Sequence, residues 1–212
     1  MTRPALTRLL YGLVGVAALT GVLLELGRAL TEHADAERLI RLFSYFTIQS
    51  NLLVVLSAAL HLWRPTGGGR FQAVVRLDAL LCIAVTGVVY HAVLAGLSAE
   101  LTPSGMIANA LLHTVAPLGT VLVWLLVGPR PHWTWATVGW SVVYPLAWVA
   151  YTFIRGAAAD WYPYPFLDVG ELGLALALRN TGFVAVGFLA LAVLLRWLEQ
   201  ALPSTTDTTV AG

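Results

Sequence analysis

The chain has no lysine, a single cysteine (Cys82) and little charge of either sign, Asp, Glu, Lys and Arg together making 11% of it. Soluble proteins carry roughly 25% charged residues. Each shortage excludes something. A lone cysteine permits neither an intramolecular disulfide nor a cysteine-based zinc cage, and Cys82 reads as a small core hydrophobe inside an apolar run. A net charge of +1, with the arginines scattered among interhelical turns, leaves no basic patch for nucleic acid. Every basic side chain other than histidine is arginine, the bias of a GC-rich bacterial genome. No G-x-S-x-G elbow, P-loop, dinucleotide fingerprint or H-E-x-x-H metal motif occurs.

What is abundant is apolar sequence, 58% of the chain, with a mean hydropathy of +0.79. A bilayer core of ~30 Å takes ~20 helical residues. Six runs meet that length, over residues 6–26, 43–63, 74–97, 107–127, 133–154 and 178–197. Breakers separate them: Arg64-Pro65-Thr66-Gly67, Thr102-Pro103-Ser104-Gly105 and Gly128-Pro129-Arg130-Pro131. The sequence therefore predicts an all-α polytopic membrane protein, six transmembrane helices in one bundle over residues 1–202. A disordered Thr- and Ser-rich tail is expected over 203–212. The first run is longer than the ~7–15 residues of a signal-peptide core and lacks a cleavage site, so it reads as a retained span.

Arginine placement gives the orientation. With the N-terminus inside, Arg3, Arg8, Arg64, Arg70, Arg76, Arg130 and Arg196 fall on the cytoplasmic side, and Arg28, Arg38, Arg41, Arg155 and Arg179 outside. Seven against five favours an integral plasma-membrane protein with both termini cytoplasmic. Trp63, Trp124, Trp133, Trp135 and Trp197 then form an inner aromatic belt.

Inside these runs lies a polar set: Thr47, Gln49, Ser50, Asn51, His91, Asn109 and His113. Polar groups in hydrocarbon are costly and tend to mark a site. Counting ~1.5 Å per residue from the outer end of each span puts Glu25, Thr47, His91, His113, Tyr151 and Asn180 in one outer-half layer, while the inner half offers little beyond His61 and Thr86. His61 is expected to be solvated at the inner interface, and Glu25 to pair with Arg28 three residues on. Thr47, Ser50 and Asn51 share a helical face, as do Asn109 and His113. Pro117 frees the carbonyl of His113, and Pro145 that of Ser141, which predicts kinks.

A Thr–His pair makes chemical sense, since a hydroxyl needs a base and neutral histidine is the usual one. Amides of Asn51, Asn109 or Asn180 are the candidate oxyanion donors, with His91 and Tyr151 orienting substrate. Other readings stay open. The histidines could ligate haem, join helices structurally, or line a path for a small solute. Hydrolysis itself calls for no cofactor and no metal.

The segment Tyr45-Phe46-Thr47-Ile48-Gln49-Ser50-Asn51 resembles the second span of the androgen-induced and androgen-dependent family of membrane proteins. The His113-Thr114 pair followed by Pro117, and the turn Tyr164-Pro165-Phe166-Leu167 before the last helix, resemble that family too. Its members are multi-span threonine hydrolases of fatty acid esters of hydroxy fatty acids. The resemblance implies a distant bacterial member with Thr47 as nucleophile, His113 as base and a membrane lipid ester as substrate. Gln49-Ser50-Asn51 replaces a more apolar stretch of the animal proteins, which leaves the ester unspecified and keeps an acyltransferase as the alternative. The segment 161–167 is expected at the outer interface as a rim or anchor.

Overall fold

Apolar runs of this length can satisfy their backbone in lipid only as helices, and six such helices are present in a computed structural model. It describes residues 2–32, 35–64, 69–97, 102–128, 130 and 133–202. The tail 203–212 and the breaker residues 65–68, 129 and 131 lie outside the described residues. The spans run Pro4–Thr31, Phe46–Trp63, Arg70–Leu94, Pro103–Val127, Trp135–Ala159 and Leu174–Ala201, several reaching further at their ends than hydropathy alone indicates. Large apolar side chains such as Val16, Ile154 and Phe183 stand well exposed along them, the surface of a protein solvated by lipid.

The helices are α1 (Arg3–Glu32), α2 (Ala36–Ser44), α3 (Phe46–Trp63), α4 (Arg70–Val89), α5 (Pro103–Ala110) and α6 (Ala116–Val127). They continue as α7 (Trp135–Ser141), α8 (Val143–Ala159), the short α9 (Val169–Leu172) and α10 (Leu174–Ala201). Helices α1, α3, α4 and α6 pack into the tight half of the bundle around Ala18, Val54, Ala79, Ile83 and Ala116. Helix α10 packs on α4 and α7, α8 meets the α2–α3 junction through Tyr144, Trp148 and Tyr151, and α8 and α10 do not pack closely against each other. Phe188, Ala192 and Leu195 of α10 reach the second core cluster, with Leu77, Leu81 and Cys82.

Two departures from a six-rod bundle shape the site. The second span does not begin at Phe43, as its hydropathy suggests. An amphipathic helix, α2, precedes it, capped by the Asp35 carboxylate on the Arg38 N–H at 2.6 Å. Leu42 and Ser44 face inward there, and the chain breaks at Tyr45 in an extended conformation (φ −66°, ψ 127°). The second departure answers Pro117. The fourth span relaxes into a π-helical turn over Leu111–Val115, and the third does the same over Tyr90–Leu94. These turns carry His113 and His91. Gly87 lets α4 approach them, since a Cβ there would lie 2.8 Å from that of Pro117. The fifth span breaks at Val142, between α7 and α8, one turn ahead of Pro145.

After α8 the chain turns through Asp160, held in the left-handed region at φ 48°, and crosses back as a strap over 161–167. Gly156 seats it: an added Cβ would come within 2.6 Å of three atoms of the Tyr162 ring. Gly156→Ala is expected to displace Tyr162, at about 1–3 kcal/mol for overpacking. A lower melting temperature and faster limited proteolysis between α8 and α9 would report it; an unchanged protein would mean that the strap is seated elsewhere.

Candidate active site

Thr47 occupies the first turn of α3, immediately after the break, and is 6% exposed. Its Oγ1 lies 3.3 Å from His113 Nε2 and 3.3 Å from the Tyr164 hydroxyl. His113 Nδ1 is 3.2 Å from the main-chain carbonyl of Asn109. A carbonyl can only accept, so Nδ1 carries the proton and Nε2 presents a lone pair to Thr47. The Thr47 N–H donates to the Tyr164 oxygen at 3.1 Å, leaving the tyrosine hydrogen for Thr47 Oγ1. Hydrogen bonds therefore run in one direction, from Tyr164 through Thr47 to His113. Burial pushes the Tyr164 hydroxyl up to about 12, so it stays protonated and keeps that hydrogen. Tyr90 stacks on the His113 ring at 4.0 Å and fixes its plane.

The break at Tyr45 has an electrostatic consequence. Gln49 is the first residue of α3 with an i−4 bond of this kind, donating to Tyr45 at 3.2 Å, so Thr47 sits in a helix N-terminal turn whose N–H groups have no partner within the helix, its own going to Tyr164. Tyr45 offers no side-chain cap. That is a positive pole beside a hydroxyl, suited to developing negative charge.

The remaining residues expected at the site have mostly structural partners. Asn51 Nδ2 spends its hydrogens on the carbonyls of Thr47 (2.8 Å) and Leu112 (3.2 Å), tying the helix of Thr47 to the span that carries His113. Asn109 Nδ2 donates to the Tyr90 hydroxyl at 2.6 Å, and Asn180 Nδ2 to the Phe166 carbonyl at 3.1 Å. Both amide hydrogens of Asn51 are thus used, while Asn109 and Asn180 each spend one, on Tyr90 and on the Phe166 carbonyl. Tyr151 bonds the Ser44 hydroxyl at 2.7 Å, while Trp148 donates to the Ser44 carbonyl at 3.0 Å, so both pin the break before Thr47. His91 is exposed and meets Thr114 at 3.1 Å, away from Thr47. Glu25 and Arg28 form the expected pair at 2.9 Å.

The inner half is more polar than the sequence reading allows. His61 is not solvated but 3% exposed, and Asp78, Glu199, Ser57 and Thr120 are buried there as well. Single charged residues such as Asp78 disappear when hydropathy is averaged across a span.

Thr47 and Tyr164 open onto a cavity of about 160 Å³ that fills the gap between α8 and α10. Apart from Thr47, Tyr164, Thr86 and Thr181 its lining is apolar, with Val85, Val89, Leu146, Val149 and Phe188 among the walls. Behind an aromatic wall of Tyr45, Trp161 and Tyr164, whose neighbouring rings meet edge to face at 5.7 Å, lies a charged vestibule holding Glu25, Asp35, Glu37, Arg28, Arg38 and Arg41. The guanidinium groups of Arg41 (5.2 Å) and Arg155 (5.1 Å) both lie over the Trp161 ring, and Glu37 bonds both, at 2.8 and 2.6 Å.

Hydrogen bonds from Arg41 and Arg155 hold the exposed Glu37 carboxyl below its ordinary range. A lowered folded value means that the contribution is present at neutral pH and fades as pH falls through that value. Acidification is therefore expected to loosen Trp161, and Glu37→Gln to remove that pH response. Quenching of Trp161, isolated by difference from a Trp161→Phe variant, measures it. An acid response that survives in Glu37→Gln would assign it to another group.

Fold and geometry together define a polytopic helical membrane protein with a Thr–His–Tyr constellation beside an apolar cavity. No protein-family model, curated protein or solved structure matches the chain.

Proposed function

We propose that this protein is an intramembrane hydrolase that cleaves a fatty acyl ester, with Thr47 as nucleophile and His113 as general base. One observation carries the reading: a threonine hydroxyl 3.3 Å from the unprotonated nitrogen of a tautomerically fixed histidine, with the threonine on the wall of an apolar cavity. The resemblance at Thr47, His113 and Tyr164-Pro165-Phe166-Leu167 to the threonine hydrolases points the same way.

The acyl chain lies in the cavity between α8 and α10, with its carbonyl at Thr47. Oγ1 attacks the carbonyl carbon as Nε2 takes the hydroxyl proton. The tetrahedral oxygen is stabilised by the Tyr164 hydroxyl and the N-terminal pole of α3. Collapse breaks the ester C–O bond, and the leaving alcohol takes the proton from His113. Water, deprotonated by His113, then attacks the acyl-threonine and releases the fatty acid. Arginine placement favours a cytoplasmic N-terminus, and in that orientation the site serves the outer leaflet.

Protein in lipid nanodiscs is expected to release fatty acid from long-chain aryl esters faster than from acetyl esters. Absence of release from any acyl ester would overturn the proposal, and ester formation with an added alcohol in place of release would make it a transferase. Tyr164→Phe removes the oxyanion donor but not the dyad, and is expected to lower turnover about 10²–10³-fold. Full activity in that variant would leave the oxyanion to the helix terminus alone.

A further inference from the structure

A second, much smaller cavity lies at the opposite end of the bundle. It measures about 20 Å³ and is lined by Tyr11, Ser57, Arg76, Trp124 and Trp133, with Thr120 and apolar neighbours. Ser57 stands ten residues along α3 from Thr47, about 15 Å at 1.5 Å per residue, so this is a separate place.

Its lining is rich in donors that nothing satisfies. Among the described residues, Arg76 Nε and Nη2, Trp124 Nε1 and Trp133 Nε1 are buried without a hydrogen-bond partner. The two tryptophans are 3% and 2% exposed. Buried polar atoms normally find partners and are costly to leave without one, so four on the residues around one cavity call for an occupant.

The donor types decide which occupant. Guanidinium and indole N–H groups can only donate. A buried water typically makes about three hydrogen bonds and must place its own two hydrogens, for which this lining offers only the hydroxyls of Tyr11, Ser57 and Thr120. An anion needs donors alone. Charge agrees: Arg76 makes no ion pair among the described residues. Asp78, two residues on, points to another side of α4, and the Glu199 carboxylate takes the Trp133 main-chain N–H at 2.5 Å. Arg130 nearby gives its guanidinium to the carbonyls of Trp124 and Leu125. Size completes the choice. About one water-sized particle fits in such a volume, which shuts out phosphate and carboxylate groups.

We propose that the cavity between Arg76, Trp124 and Trp133 binds a single halide-sized anion, chloride in the cell. The anion joins α1, α3, α4 and α6 at the end of the bundle remote from Thr47.

The test is thermal unfolding of the intact protein in nanodiscs, with sodium gluconate exchanged for sodium chloride or bromide at constant ionic strength. Wild type is expected to melt at temperatures that rise saturably with the halide. Arg76→Gln should weaken the apparent halide affinity at least tenfold. Trp124→Phe, which removes one N–H and keeps an aromatic ring, should weaken it measurably and stands as the readout if Arg76→Gln does not fold. Bromide should give an anomalous diffraction peak within hydrogen-bond distance of Arg76. Equal melting temperatures in gluconate and halide would overturn the proposal and leave water in the cavity. So would a halide effect that is unchanged in Trp124→Phe.

Discussion

Thr47→Ala is expected to lower ester turnover by on the order of 10⁴–10⁶-fold, the range seen when an acyl-transfer nucleophile or its partner is removed. The fold should survive it. Thr47 contributes its N–H to Tyr164 and its carbonyl to Asn51 and Ser50, and all three bonds belong to the main chain. Only the Oγ1 contacts to His113 and Tyr164 disappear. Thr47→Ser keeps the hydroxyl and should retain activity. Turnover of a long-chain ester by the three proteins, each checked for its melting temperature, reads the result. Equal rates for wild type and Thr47→Ala would leave His113 without a nucleophile to serve.

His113→Gln is expected to reduce turnover about 10²–10⁴-fold, the usual worth of a positioned general base. Glutamine fills similar space but cannot take a proton. The contrast with Asn109 sharpens this. Asn109 holds His113 through its main-chain carbonyl, and its side chain reaches only the Tyr90 hydroxyl. Asn109→Ala should therefore cost far less than His113→Gln, through a loosened Tyr90 ring. Comparable losses in both variants would mean that the Asn109 amide acts directly. No carboxylate among the described residues bonds His113, so the Thr47–His113 pair is oriented by backbone.

Much of this arrangement was legible in the sequence, and the reasons can be named. Spans are read from length and apolarity because the bilayer sets both. Depth along a helix is simple counting, so Thr47 and His113 could be placed at similar levels before their contact was known. Depth says nothing about azimuth. His91 shares the layer yet bonds Thr114 on the outside of the bundle, and Tyr151 and Asn180 brace the backbone around the site without touching Thr47.

What escaped the sequence reading is set by distant contacts. The break at Tyr45 has no proline or glycine to announce it. It is held by Trp148 and Tyr151, more than a hundred residues away, bonding Ser44. That break turns an unremarkable span position into the N-terminus of a helix. Tyr164 was visible within its Tyr-Pro-Phe-Leu turn, but the contacts that seat the segment, Tyr162 on Gly156 and Trp161 against Arg41 and Arg155, join residues distant in sequence or side by side only in space. The inner cavity escaped for a different reason. Its arginine and tryptophans match what a membrane interface normally carries, and only unpaired N–H groups set them apart.

The most direct measurement of the central claim is the position of a covalent adduct. Purified protein would be treated with a long-chain fluorophosphonate, digested, and mapped by mass spectrometry. Attack by an activated hydroxyl displaces fluoride and leaves the phosphonate on oxygen. One adduct is expected, on Thr47, and it should be lost in His113→Gln. An adduct on another residue, or none on protein that is folded and monodisperse, would contradict it.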